Sequence, residues 1–283
     1  DNSILHNSYL ESALRCSAPG FEKKPQLVRY VKGQSKWDGI TIFTDKTFHL
    51  VNHVESKIKV AWPIECYELL PSAYQYLDEY GKYFDLIFTY EKSVFDKFPQ
   101  KSVFHPCDTS GIEIESHKIH EKTKLISMIY SDKTWLFGHR LRHIIAKSLI
   151  PEMGYDKVDF FGRGTNTPIN LKSEGTNPYM FQIVTENAKR YNYFTDKIYD
   201  CFVTGTIPIY WGAPNIGDHF DKGGILSFEH PDELKQILLG LSREKYNSML
   251  SSVQENFERV KYYLRPDDLL YEQIIKNLIK RHK

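Results

Sequence analysis

Lys197 directly follows Thr195 and Asp196, where a polar and aromatic loop gives way to the helical stretch Thr195–Thr204. The Thr195 hydroxyl can cap that helix by accepting an orphan N–H. Asp196 in the first turn suits the positive end of the helix dipole. Lys197 does not, because a cation in a first turn is mildly unfavourable unless an anion sits with it. A helix amino end with a lysine beside it can cradle a pyrophosphate; the alternative is a solvent-exposed lysine. Arg140 stands at the start of another helical stretch, His139–Leu149, shortly after the apolar burst Lys124–Tyr130. From there its guanidinium can bind phosphate bidentately, or it forms a surface ion pair. Glu65 comes just after the burst Ile58–Trp62 and Pro63-Ile64. A carboxylate at such a strand end can act as a general base, with Glu68, Glu79 and Asp85 as competitors nearby. The turns Phe161-Gly162-Arg163-Gly164 and Gly212-Ala213-Pro214 allow close backbone approach to a ligand, or are only turns.

These residues need elements to hold them. Apolar bursts of strand length recur at Leu27–Val31, Ile40–Thr44, Ile58–Trp62, Phe84–Tyr90 and Ser102–His105, then at Lys124–Tyr130, Val158–Phe161, Phe181–Thr185, Ile207–Trp211 and Ile225–Phe228. Helical stretches lie between them at Leu69–Tyr80, His139–Leu149, Thr195–Thr204, Asp232–Leu241 and Glu244–Tyr262, and Pro266–Lys283 reads as a closing helix with proline at its start. Such alternation predicts α/β architecture with parallel sheets covered by helices. The polar stretch Asp108–Thr123 reads as a linker. The expected organisation is therefore a Rossmann-like domain over 1–115, a second over 116–265 and the closing helix 266–283. In open parallel sheets ligands bind outside the carboxyl ends of the strands, where the residues above fall.

Composition narrows the partners. Among 283 residues, 37 Lys+Arg against 36 Asp+Glu leave a formal charge of +1, which offers no bulk footprint for nucleic acid. Hydrophobic residues at 41 % and charged residues at 26 % argue against a disordered chain. No stretch reaches the roughly 18 apolar residues of a membrane span. Cys16, Cys66, Cys107 and Cys201 form no CxxC pair and read as reduced, mostly buried thiols. No Asn-x-Ser/Thr sequon occurs, and residues 1–20 lack the apolar core of a signal peptide. The expected compartment is the cytoplasm, with an anchor preceding Asp1 left open. Lys276, Lys280, Arg281 and Lys283 read as a solvated helix end, with contact to a membrane surface as the lesser reading.

The segment FQIVTENAKRYNYFTDKI, continued by IPIYWGAP, resembles the donor motif of glycosyltransferase family 10, the α-1,3/4-fucosyltransferases. The likeness extends loosely to VDFFGRG at 158–164 and to the region of Arg140, and covers roughly residues 120–230. It implies a GT-B fold of two Rossmann-like domains facing across a cleft. It implies a nucleotide-sugar site lined by Asn187, Tyr193, Asp196 and Lys197, a diphosphate neutralised by Arg140 and Lys197, and Glu65 as general base. The implied reaction is inverting transfer of fucose from GDP-fucose to a hydroxyl of a glycan acceptor. No cofactor is expected. No Asp-x-Asp pair, the usual signature of metal-dependent transferases, is present, and no metal is expected either. Asp196 stands where the family has Glu, and Cys66 follows Glu65 where the family has Asn or Ser. A different nucleotide sugar as donor, or a silent nucleotide- or glycan-binding module, are the alternatives.

Overall fold

The computed structural model describes residues 35–106 and 108–281, with side chains through Asn277. The candidate strand Leu27–Val31, Cys16, Cys107, Lys283 and the side chains of Lys280 and Arg281 lie outside the described residues. The chain divides into two compact units, 1–108 with 265–283, and 109–264. The first boundary thus falls ahead of residue 115, and the closing helix belongs with the first unit rather than standing alone.

The first unit carries β1 (Lys36–Thr44), β2 (Glu55–Trp62), α1 (Pro71–Tyr80), β3 (Leu86–Thr89), α2 (Lys92–Lys97) and β4 (Ser102–Phe104). Its sheet runs β1-β2-β3-β4, and every pairing is parallel. A 3-10 segment, Asp45–His53, joins β1 to β2. Its mixed polarity hides it from periodicity, yet Phe48 and Val51 are buried in the same core as Phe43, Leu77 and Phe84.

The second unit carries β5 (Lys124–Ile129), α3 (Phe137–Ile144), β6 (Val158–Phe161), β7 (Tyr179–Thr185), α4 (Asp196–Thr204), β8 (Ile207–Trp211), β9 (Leu226–Ser227), α5 (Pro231–Leu239), α6 (Arg243–Ser248) and α7 (Leu250–Val260). Helix α3 continues through a widened turn, Ile145–Leu149, to Ile150–Glu152, where Pro151 and then Gly154 end it. The stretch expected as one helix over Glu244–Tyr262 is broken at Met249, whose φ of −105° and ψ of 4° leave the helical region. Helix α8 (Pro266–Arg281) is the closing helix. Its Leu270 and Ile274 pack with Val60, Trp62 and Phe88 of the first unit.

The second sheet runs β6-β5-β7-β8-β9, all parallel. Every residue of β7 and β8 is buried, as expected of strands central in a sheet covered on both faces. The chain goes from β5 outward to β6, then crosses back to place β7 on the other side of β5. That reversal is a topological switch point. Pairing of β5 with β7 extends to Ser127 opposite Gln182. Beyond it the strands carry Met128–Ile129 and Ile183–Thr185 to their carboxyl ends. Among the described residues no helix is long and apolar enough to cross a membrane.

Candidate functional site

A cavity of about 390 Å³ opens at this switch point, between the carboxyl ends of β5 and β7. Its size suits a small-molecule ligand. Lys133, Arg142, Arg163, Lys172 and Lys197 line it, against the carboxylates of Asp196 and Asp200. The lining is therefore positive, as an anion site requires.

Two of those lysines are built into a run of alternating charges. Asp200 accepts from Lys172 at 2.7 Å. Lys172 also pairs with Asp196. Asp196 pairs in turn with Lys197 at 3.0 Å, and Lys197 lies 3.4 Å from Glu186. Burial alone would lower both ammonium groups, but the carboxylates beside them hold Lys172 and Lys197 above their ordinary values. Burial would likewise raise Asp196, yet Lys172 and Lys197 hold its carboxyl well below the usual range. Both lysines thus stay charged where an isolated buried cation would lose its proton.

Glu186 also replaces the cap expected from Thr195. Its fully buried carboxylate accepts from Thr195 N at 2.9 Å and Thr195 Oγ1 at 2.8 Å. Thr195 makes no capping bond of its own; its hydroxyl instead accepts from Lys197 Nζ at 2.7 Å.

Of the residues expected here, Asn187, Asp196 and Lys197 line the cavity. Tyr193 does not: it is buried, 2 % exposed, outside the lining. Arg140 does not either. Its exposed guanidinium donates to the carbonyls of Thr134 and Trp135 on the preceding turn. Arg142 takes the place expected of it. It donates through Nε and Nη2 to Thr185 O, at 3.2 and 2.6 Å, and through Nη2 to Asn187 Oδ1 at 3.0 Å. Two residues along a helix is about 200° around its axis, so Arg140 and Arg142 face opposite ways. Arg142 shares the buried side with Gly138, His139, Ile145 and Leu149, at the three- and four-residue spacings that periodicity could have singled out. Asp200 likewise follows Asp196 at a four-residue spacing and Glu186 precedes Asn187 in the motif, whereas Lys172 had no such local signal.

Close packing brings α3 to this site. Gly138 N donates to Asn187 O at 3.2 Å, and a Cβ on Gly138 would stand 1.8 Å from Glu186 O. Only glycine allows the helix start that near the end of β7. His139, beside it, is 4 % exposed. Burial, with Arg142, Lys133 and Lys197 nearby, pulls its imidazole down to about 4 and keeps it neutral. After β6, Gly162 adopts φ +99°, and a Cβ there would lie 2.5 Å from Tyr130 O. The Gly-bracketed turn thereby places Arg163 at the cavity.

Glu65 belongs to the first unit, half-buried on the turn after β2. Among the described residues its carboxylate forms no hydrogen bond or ion pair, whereas its backbone is held on both sides.

Residues 119–251 match the family model described as Glycosyltransferase family 10 (fucosyltransferase) C-term. The chain is similar to an alpha-(1,3)-fucosyltransferase FucT of Helicobacter pylori, 34 % identical over 91 residues, 31 % of this chain and 19 % of that protein. It is similar to the alpha-(1,3)-fucosyltransferase B of Drosophila melanogaster, 38 % identical over 76 residues, 25 % of this chain and 17 % of that protein. It is also similar to the human GDP-fucose protein O-fucosyltransferase 3, 30 % identical over 109 residues, 32 % of this chain and 23 % of that protein. The matches span about a fifth of the length of these relatives. Among solved structures, an alpha1,3-fucosyltransferase with GDP aligns at a TM-score of 0.55 and 15 % identity, covering 94 % of this chain and 88 % of that one. TarM aligns at 0.56 and 10 % identity, covering 84 % and 54 %. The fold is thus α/β of the GT-B type, as expected from the alternation and the motif.

Proposed function

We propose, on the premise that residues 119–251 are a glycosyltransferase family 10 domain, that the protein transfers fucose from GDP-fucose to a hydroxyl of a glycan acceptor. The observation that carries this reading is the cationic cavity at the switch point, which Arg142, hydrogen-bonded to Asn187, lines together with Lys197 of the motif. Both are preorganised. Arg142 is tied to the end of β7, and Lys197 is held charged by Glu186 and Asp196. In the proposed step a carboxylate base, Glu65, removes the proton of the acceptor hydroxyl as that oxygen attacks the anomeric carbon. The bond from that carbon to the diphosphate breaks on the opposite face, so configuration inverts. The leaving GDP takes up negative charge, which Arg142 and Lys197 are placed to stabilise without reorganising. Asp196 belongs to the donor site in this reading, at the cavity wall between the two lysines.

Calorimetry with GDP-fucose, GDP-mannose, UDP-glucose and UDP-galactose tests the donor. GDP-fucose should bind at least tenfold more tightly than either UDP sugar. Equal or tighter binding of a UDP sugar would overturn the assignment.

A further inference from the structure

Glu65 sits on a short turn, yet its peptide groups are held more firmly than a turn needs. Asp45 follows β1, Glu65 follows β2 and Tyr90 follows β3, so three neighbouring parallel strands deliver them to one edge of the first sheet. Asp45 Oδ1 accepts from Ile64 N at 2.9 Å and from Glu65 N at 3.4 Å. On the other side, Tyr74 of α1 donates its hydroxyl to Glu65 O at 2.8 Å, and Tyr90 does so at 3.1 Å. The two phenol oxygens lie 2.7 Å apart. The two hydroxyls therefore share their protons between the Glu65 carbonyl and each other.

We infer that Asp45, Tyr74 and Tyr90 are positioning residues that hold Glu65 in place for proton removal, an inference that rests on the proposed role of Glu65 as base. Asp45 supports it by its backbone. Its φ of +39° is a left-handed conformation in a non-glycine residue, a cost tolerated where the surroundings demand it. Burial also pushes its carboxyl up to about 6, so it is held here against its own solvation. Tyr74 and Tyr90 are 4 % and 0 % exposed, and both direct their buried hydroxyls to the same turn. A base must lie within hydrogen-bond reach of its proton, and displacement by about 1 Å can cost two orders of magnitude in rate. The clamp grips only backbone atoms. Among the described residues the Glu65 carboxylate itself makes no hydrogen bond or ion pair, so the clamp acts on its backbone.

The test measures GDP release from GDP-fucose, in water and with N-acetyllactosamine, for the whole chain. Y74F/Y90F removes both hydroxyls and keeps both rings. Its kcat should fall roughly 10- to 100-fold, with the KM for GDP-fucose within about twofold of the unaltered protein. In an E65Q background the same pair should change the residual rate by less than about twofold, because a clamp has no effect once the base it holds is gone. D45A should lower kcat about tenfold, and D45N, whose amide oxygen can accept the same two N–H groups, should restore most of it. If E65Q turns over normally, the reading of Glu65 as base fails. If E65Q is inactive while Y74F/Y90F stays within twofold of the unaltered protein, the clamp fails and the base stands. Equal losses from Y74F/Y90F in both backgrounds would mark the tyrosines as fold-holding only and would also overturn the inference.

Discussion

The carboxyl edges of the two sheets are assembled from the same parts, residues that follow parallel strands, but by opposite electrostatic means. At the first edge the Glu65 carboxylate is held through its peptide groups by two phenols and a second carboxylate, Asp45, with no cation paired to Glu65 among the described residues. At the second, Asp200, Lys172, Asp196, Lys197 and Glu186 alternate in sign. The difference follows from what each edge must keep. At the first edge the proposed base is positioned through its peptide groups, with phenol hydroxyls rather than a cation on its carbonyl. Partly buried lysines keep their charge best with carboxylates beside them, and the second edge supplies those carboxylates as an ion-pair network.

This contrast can be broken most directly at its two ends. E65Q should lower kcat by roughly 100-fold or more, the usual contribution of a positioned base. It should leave the affinity for GDP unchanged. Lys197→Ala should lose roughly 2–4 kcal/mol of transition-state stabilisation, as for one preorganised donor, and should weaken GDP binding as well. Steady-state kinetics paired with GDP calorimetry would show it. Equal effects of both substitutions on GDP affinity would dissolve the division of labour.

The next test uses acid. Each unit contains a neutral histidine, His105 in the first and His139 in the second. His105 is held down to about 4 by burial, against hydrogen bonds to Gln273 and Pro266 that oppose the shift. The unfolded chain, with an ordinary histidine near 6.5, takes up that proton first. Stability is therefore full above about pH 6.5 and is lost as pH falls toward 4, by about 3 kcal/mol for His105. His139 acts in the same direction, with neighbouring cations adding to burial. Asp45 in the first unit, its carboxyl pushed up to about 6, acts in the opposite direction, so the test is a difference: between pH 7.5 and 4.5, urea unfolding should show acid costing His105→Phe about 3 kcal/mol less than it costs the unaltered protein. A pH dependence untouched by that substitution would contradict the assignment.

The smallest expected effect separates two arginines on one helix. Arg142→Ala should weaken GDP binding by about 2 kcal/mol, as for a lost charged hydrogen-bond partner. Arg140→Ala should change it by less than about 0.5 kcal/mol, as at an ordinary surface position. The reverse order would return Arg140 to the cavity.

Much of this molecule could be read before any coordinates. Alternating apolar bursts and helical stretches identified the α/β class because a strand buried on both faces must be mostly apolar, as β8 is and as β7 is apart from Gln182 and Thr185. Asp196 and Lys197 stood out because they open one helix, and Asn187 through the resemblance of its segment to the family donor motif. Arg142 was within reach of helical spacing, since Gly138, His139 and Ile145 mark the buried side of α3. What the order of residues could not disclose was which strand ends become neighbours. Lys172 reaches Asp196 and Asp200 across 24 and 28 residues, and Tyr90 reaches Glu65 across 25. Periodicity records which way a residue faces within its own element, whereas such meetings depend on strand order, and β7 lies beside β5 only because the chain crosses back after β6.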